Sequence, residues 1–220
     1  MKRILIFFTF LFIIFSIYNY DIFFKSNPVK EIVTEGNSIY LDQKLLNKNL
    51  SDLIGTEIYS INLRELKTQL ERDPWIKSAQ IIIDSPNILV VKIIERKPMF
   101  LWNRQQYVDD EGILFKPDEL NLKNILIIES SSDNHQFMYK LYKDLKILFS
   151  KIDLIINKIN KDDDMLIIST SKYKFSVRYS MYQIKIEEFI AVYNQFINSK
   201  MTKKGVQNID LRYPTGFAVQ

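Results

Sequence analysis

Cysteine is missing from this 220-residue chain, histidine occurs once, and there are only five glycines and three alanines. Without cysteine there is no disulfide, no thiolate metal site, no cysteine nucleophile and no lipidated thiol. His135 has no second histidine or cysteine to complete a metal site. With one histidine and five scattered glycines, most enzyme chemistries lack their parts. No catalytic residue, cofactor site, metal site or small-molecule substrate is expected. A strong charge of one sign is also lacking. Setting aside Lys2, Arg3 and Asp21, the chain carries 28 basic against 25 acidic residues, too balanced for a dedicated nucleic-acid binder.

What is abundant is apolar sequence at the N-terminus. Residues 1–24 hold 18 apolar side chains and six others, Lys2, Arg3, Thr9, Ser16, Asn19 and Asp21. As a helix, Ile4 to Phe24 would be about 31 Å long, enough to cross a bilayer. A cleaved signal peptide would need small residues at the exit of the run, yet the first alanine is Ala79. The run therefore reads as an uncleaved anchor. Residues 1–3 form a short cytoplasmic head, and the bulk of the chain lies outside the cytoplasm.

Beyond the anchor the pattern changes to that of a water-soluble α+β protein. A strand over Val29–Glu35 closes at Gly36-Asn37. A helix capped by Asp42 carries Leu46, Leu50, Leu53 and Ile54 at helical spacing. A second helix opens at Asn62, shows Leu63, Leu66 and Leu70 on one face, and stops at Pro74. Ile76–Ile83 and Ile88–Glu95 flank Asp84-Ser85-Pro86-Asn87 as a hairpin. Residues 29–97 thus read as a β-α-α-β-β domain.

Residues 98–220 read as a larger α+β domain with a mostly antiparallel sheet. It has short strands at Phe100–Trp102, Gln105–Val108, Ile113–Phe115 and Leu122–Ile128. An amphipathic helix runs from His135 to Phe149. Strands follow over 155–159, 165–169 and 175–179, then a second long helix carrying Ile186, Phe189, Ile190, Tyr193, Phe196 and Ile197 inward. A last strand runs from Val206 through Ile209–Tyr213 to the C-terminus. Alternation along it puts Leu211, Tyr213, Thr215, Phe217 and Val219 on one face. Pro214 cannot donate to a ladder, which places this strand at an edge open to a partner's extended segment. The competing reading of Pro214-Thr215-Gly216 is a turn at the chain end.

Three ordered blocks carry a resemblance. Thr34-Glu35-Gly36-Asn37 comes first. Pro74-Trp75-Ile76 and Ala79 continue through Pro86, Leu89 and Val91 to Glu95-Arg96, Pro98 and Trp102. Ile209-Asp210-Leu211-Arg212-Tyr213-Pro214-Thr215-Gly216-Phe217-Ala218-Val219 closes the chain, with Val108-Asp109, Gly112 and Phe115 between. Together they resemble the bacterial FtsQ/DivIB cell-division family over essentially the whole chain. The resemblance implies a POTRA domain followed by the family's β-domain, in a single-pass inner-membrane protein at the division septum. It implies a non-enzymatic scaffold that joins FtsB and FtsL and links early to late division proteins. It also assigns FtsB binding by edge addition to the closing strand, with Arg212, Tyr213, Pro214, Thr215, Gly216 and Phe217 as the contact residues. The alternative is another membrane-tethered POTRA chaperone or scaffold of envelope biogenesis. An envelope hydrolase is disfavoured by the missing nucleophile and base.

Other conspicuous residues read as structural. Trp75 and Trp102 are expected to fill hydrophobic seams. Asp109, Asp110 and Glu111 read as a solvated turn, His135 as a surface residue, and Asp162–Asp164 as a loop without the offsets of a calcium site.

Overall fold

A computed structural model of the protein describes residues 9–15, 27–36, 38–199, 205 and 207–220. Residues 9–15 are helical. Most of the expected span of residues 4–24 lies outside the described residues, and no helix among those described is long and apolar enough to cross a membrane. The chain divides into two compact units, Met1–Glu95 and Arg96–Gln220.

In the first unit, strand β1 (Glu31–Glu35) is followed by helices α1 (Gln43–Ser51) and α2 (Leu63–Leu70) and by the hairpin β2 (Ile76–Ser85) and β3 (Ile88–Glu95). Both helices start where a short polar side chain can take up orphan N–H groups. The Asp42 carboxylate accepts from Lys44 N and Leu45 N, and Asn62 Oδ1 accepts from Glu65 N at 3.2 Å. The sheet order is β1-β3-β2, with β1 parallel to β3 because two helices intervene and β2 antiparallel to β3 across its tight turn. Alternate residues of β3, Leu89, Val91 and Ile93, join Leu46, Leu50, Ile58 and Leu70 in one core. Strand β1 begins two residues later than the sequence suggests. The main chain of Val29 is already engaged, accepting from Gly55 N and donating to Thr56 O.

Two of the recognisable motifs prove to be structural devices of this unit. Gly36 adopts φ +142°, and a Cβ there would come within 2.5 Å of Ile93 O, so only glycine fits. The Glu95 carboxylate accepts from the main-chain N–H groups of Ile39, Tyr40 and Leu41, fixing the loop that leads into α1. Trp75 is half-buried and stacks on Tyr40, ring centroids 4.9 Å apart.

The second unit is a nine-stranded sheet built from β4 (Pro98–Trp102), β5 (Gln106–Asp109), β6 (Leu114–Phe115), β7 (Leu126–Ser130), β8 (Ile156–Asp162), β9 (Met165–Thr170), β10 (Lys174–Arg178), β11 (Asn208–Asp210) and β12 (Ala218–Val219). Helix α3 (His135–Ser150) lies between β7 and β8 in sequence, and α4 (Tyr182–Ile197) between β10 and β11. The order is β12-β11-β10-β9-β8-β7-β4-β5-β6. The expectation of a mostly antiparallel sheet is corrected: the sheet is mixed. β4 pairs parallel with β7, β7 with β8, and β10 with β11. The reason is connective. Each long helix is a crossover, and a strand reached through a crossover helix pairs parallel with the one before it, as β8 does with β7 and β11 with β10; β4 and β7 are joined through β5 and β6 instead. Both helices feed one core, with Met138, Leu145 and Phe149 from α3 meeting Ile186 and Phe189 from α4 over Ile128, Ile159, Ile168 and Phe175. Trp102 packs partly buried against the same core.

The solvated reading of the 109–111 turn is corrected at Asp109, which is 0% exposed. Its Oδ2 accepts from Arg96 Nη1 at 2.8 Å, and its Oδ1 accepts from Glu111 N and Ile113 N. The carboxylate is thus the buried centre that organises the turn.

Candidate functional site

The expected partner-binding residues lie at the C-terminal edge of the nine-stranded sheet, where a further correction applies. The segment after residue 206 is not one continuous strand. β11 and β12 run antiparallel, Ile209 opposite Val219 and Asp210 opposite Ala218, so Pro214-Thr215-Gly216 sits in the turn between them. Gly216 holds φ +71°, a conformation in which a side chain would be strained. Alternation alone does not reveal the reversal, because a strand and a short two-legged hairpin share the same period-two pattern.

The hairpin is pinned from both sides. β11 adds to β10 in parallel, with Leu211 N donating to Ser176 O at 2.8 Å and Ile209 buried. Phe217 sets its ring edge-on to Phe189 and Phe196 of α4, at centroid distances of 5.2 and 6.0 Å. Arg212 folds back on Asp210, its main-chain N and Nε both donating to Oδ1. The hydrogen bond from Arg212 holds the Asp210 carboxyl below the usual carboxylate range.

Lys185 is the group that sequence reasoning missed. It lies on the inward stripe of α4 with Tyr182, Ile186 and Phe189, and its side chain is 4% exposed. Its Nζ donates to Glu188 Oε2 and to Pro214 O, both at 2.8 Å. A lysine in an otherwise apolar helical stripe was the available signal, since a buried ammonium requires acceptors.

Of the six expected contact residues, Arg212, Tyr213, Pro214, Thr215 and Gly216 are exposed together on the turn, and Phe217 is partly buried beneath them. Tyr213 is 50% exposed. β12 is the terminal strand of the sheet. Asn208 and Gln220 exchange both main-chain hydrogen bonds, so Val219, one residue back, directs its N–H and C=O away from β11 toward the outer edge. A short open ladder edge therefore adjoins an exposed aromatic turn. That arrangement can accept an extended peptide but offers no nucleophile or acid–base pair.

Elsewhere in the unit, polar clusters satisfy themselves. Lys161, 5% exposed, donates to Asp133 Oδ2 at 2.7 Å and Asp163 O at 2.6 Å and lies over the Tyr179 ring. Asp164 accepts from Ser180 N and Oγ, as expected for a loop carboxylate. No group of three or more His, Asp or Glu among the described residues could hold a metal ion, and His135 is a half-buried first residue of α3 behind its cap Asn134.

Comparison with known proteins matches these two units. The family described as "POTRA domain, FtsQ-type" covers residues 27–96, and that described as "Cell division protein FtsQ/DivIB, C-terminal" covers residues 100–212. The chain is 25% identical to the cell division protein FtsQ of Cellvibrio japonicus over 196 residues, 88% of this chain and 60% of that one. It is 24% identical to the FtsQ of Coxiella burnetii, covering 89% of this chain and 81% of the relative. It is likewise 24% identical to the FtsQ of Neisseria meningitidis serogroup B, covering 90% and 85%. The chain thus spans three-fifths of the Cellvibrio protein and four-fifths or more of the other two. An FtsQ-type POTRA unit followed by an FtsQ/DivIB C-terminal unit places the chain in the FtsQ/DivIB family of cell division proteins.

Proposed function

We propose that this protein is a non-enzymatic scaffold of the bacterial division machinery, anchored in the inner membrane by residues 4–24 with its bulk on the periplasmic side. It links early and late division proteins at the septum by binding FtsB and FtsL through its exported domains. The open outer edge of β12 beside the exposed Arg212–Gly216 turn carries this reading. An extended segment of FtsB adds to that edge through main-chain hydrogen bonds to Val219, while Tyr213 supplies the side-chain anchor.

The test is calorimetry of the full-length protein in detergent against the exported segment of FtsB. Tyr213→Ala should cost about 2 kcal/mol or more of binding, as truncated aromatic anchors do, with an unchanged melting temperature. Wild-type affinity in that variant would move the interface elsewhere.

A further inference from the structure

One end of the first unit is tied to the point where the chain leaves the apolar run. The loop between α1 and α2 and the β2–β3 turn both close on residues 27–30. Ile58 N donates to Asn27 O at 3.0 Å, Asn27 N donates to the Glu57 carboxylate at 2.8 Å, and Val29 exchanges hydrogen bonds with Gly55 and Thr56. Asn87 Nδ2 donates to Pro28 O at 2.8 Å. The same loop carries two large apolar side chains in the open, Ile54 at 54% and Tyr59 at 66% exposure.

We propose that residues 53–59 form a membrane-interface contact in which Ile54 and Tyr59 lie among the lipid headgroups. The inference rests on the reading of residues 4–24 as a membrane span. Asn27 is three residues beyond Phe24, and an extended chain covers at most about 10 Å over those three steps. The polar layer on each side of a bilayer is itself roughly 5–8 Å thick. A loop hydrogen-bonded to Asn27 is therefore held within a few ångströms of that layer at most, close enough for side chains on it to enter. Tyrosine favours that depth because its ring is apolar and its hydroxyl stays hydrated. Charge does not drive the contact: Asp52 and Glu57 in the α1–α2 loop outnumber Lys30. The attachment is therefore apolar and independent of anionic lipid.

Ile39 provides an internal control. It is more exposed still, at 78%, but its N–H is bound to Glu95 at the C-terminal end of β3, whereas Asn87 and Asn27 lie at the N-terminal end of that strand. Because the chain has no cysteine, single cysteines at Ile54, Tyr59, Ile39 and Phe12 can each carry one nitrobenzoxadiazole label. The labelled full-length proteins are reconstituted into phosphatidylcholine vesicles, and in parallel into vesicles containing phosphatidylglycerol. Labels at 54 and 59 should show blue-shifted emission quenched by shallow nitroxide lipids, equally in both vesicle types, with water-like emission at 39 and deep burial at 12. Water-like emission at both 54 and 59 with a buried label at 12 overturns the loop contact and leaves the anchor intact. A water-like label at 12 overturns the anchor, and the loop contact falls with it. A requirement for phosphatidylglycerol overturns the apolar mode.

Discussion

Lys185 Nζ donates at 2.8 Å to the main-chain carbonyl of Pro214, linking the buried face of α4 to the turn of the closing hairpin. Its second acceptor, Glu188, is itself 53% exposed. The lysine therefore has one partner in water and one in the turn, and the partner in the turn is the one whose position it determines.

Replacing Lys185 by methionine should separate shape from stability. Methionine fills the buried stem, and Glu188 returns to water, so stability should change by less than about 1 kcal/mol. The Pro214 carbonyl loses its charged donor, and binding of the FtsB segment should weaken about tenfold, or 1.4 kcal/mol. Lys185→Arg should recover part of it. Unchanged calorimetric affinity in the methionine variant would show that the turn keeps its shape without this bond.

Phe217 should behave differently from Tyr213. Its ring lies on Phe189 and Phe196, so Phe217→Asp places a charge on the core and should lower stability by about 2–4 kcal/mol as well as weaken binding. Urea denaturation of both variants distinguishes the roles. An equal loss of stability in Tyr213→Ala and Phe217→Asp would contradict the exposure assigned to Tyr213.

Asp109→Ala should cost about 3–5 kcal/mol, because it leaves Arg96 facing a buried site without its carboxylate and frees the N–H groups of Glu111 and Ile113. FtsB binding by the variant that remains folded should be normal. A thermal midpoint like that of the wild type would refute the structural role.

The parts of this fold legible in the sequence are those set by local chemistry. Asp42 and Asn62 mark helix starts because their side chains cap the next turn, and Pro86-Asn87 marks a hairpin for a comparable local reason. Strand direction in the second unit was not legible from alternation alone, which does not distinguish parallel from antiparallel pairing; the helices between β7 and β8 and between β10 and β11 decide it. The burial of Asp109 depends on Arg96, thirteen residues away, and that of Lys185 on Pro214, twenty-nine residues away. The segment expected to contact a partner reads in the sequence as one alternating strand, whereas in the structure residues 213–216 turn between β11 and β12.

Gly36→Ala should destabilise the first unit by about 1–3 kcal/mol or more, since alanine at φ +142° is strained and its methyl would collide with Ile93 O. Glu95→Ala should act on the same corner by releasing three N–H groups of residues 39–41. Hydrogen exchange checks both. Protection lost around residues 36–41 with no change in the 208–220 hairpin is expected, and unaltered exchange at Ile39–Leu41 in Glu95→Ala would rule out the cap.

Acid should weaken the second unit through Asp133 and Glu129. Burial pushes the Asp133 carboxyl up, but hydrogen bonds from Lys161, Ser132 and Ser130 outweigh it and hold it below its usual value. Lys158 and then Arg104 do the same for Glu129. A carboxylate with a depressed folded pKa contributes stability that is fully present above its unfolded value, about 4, and disappears as pH falls through the folded value. Urea midpoints should therefore be level from about pH 7 to 5 and decline below about pH 4. Asp133→Asn should lower stability near neutrality by about 1–3 kcal/mol, because the buried Lys161 ammonium loses its carboxylate partner and keeps only neutral ones, among them the Asp163 carbonyl and the Tyr179 ring. It should also flatten the acid decline, since one of the titrating groups is gone. An acid decline as steep in Asp133→Asn as in the wild type would assign the titration to other carboxylates.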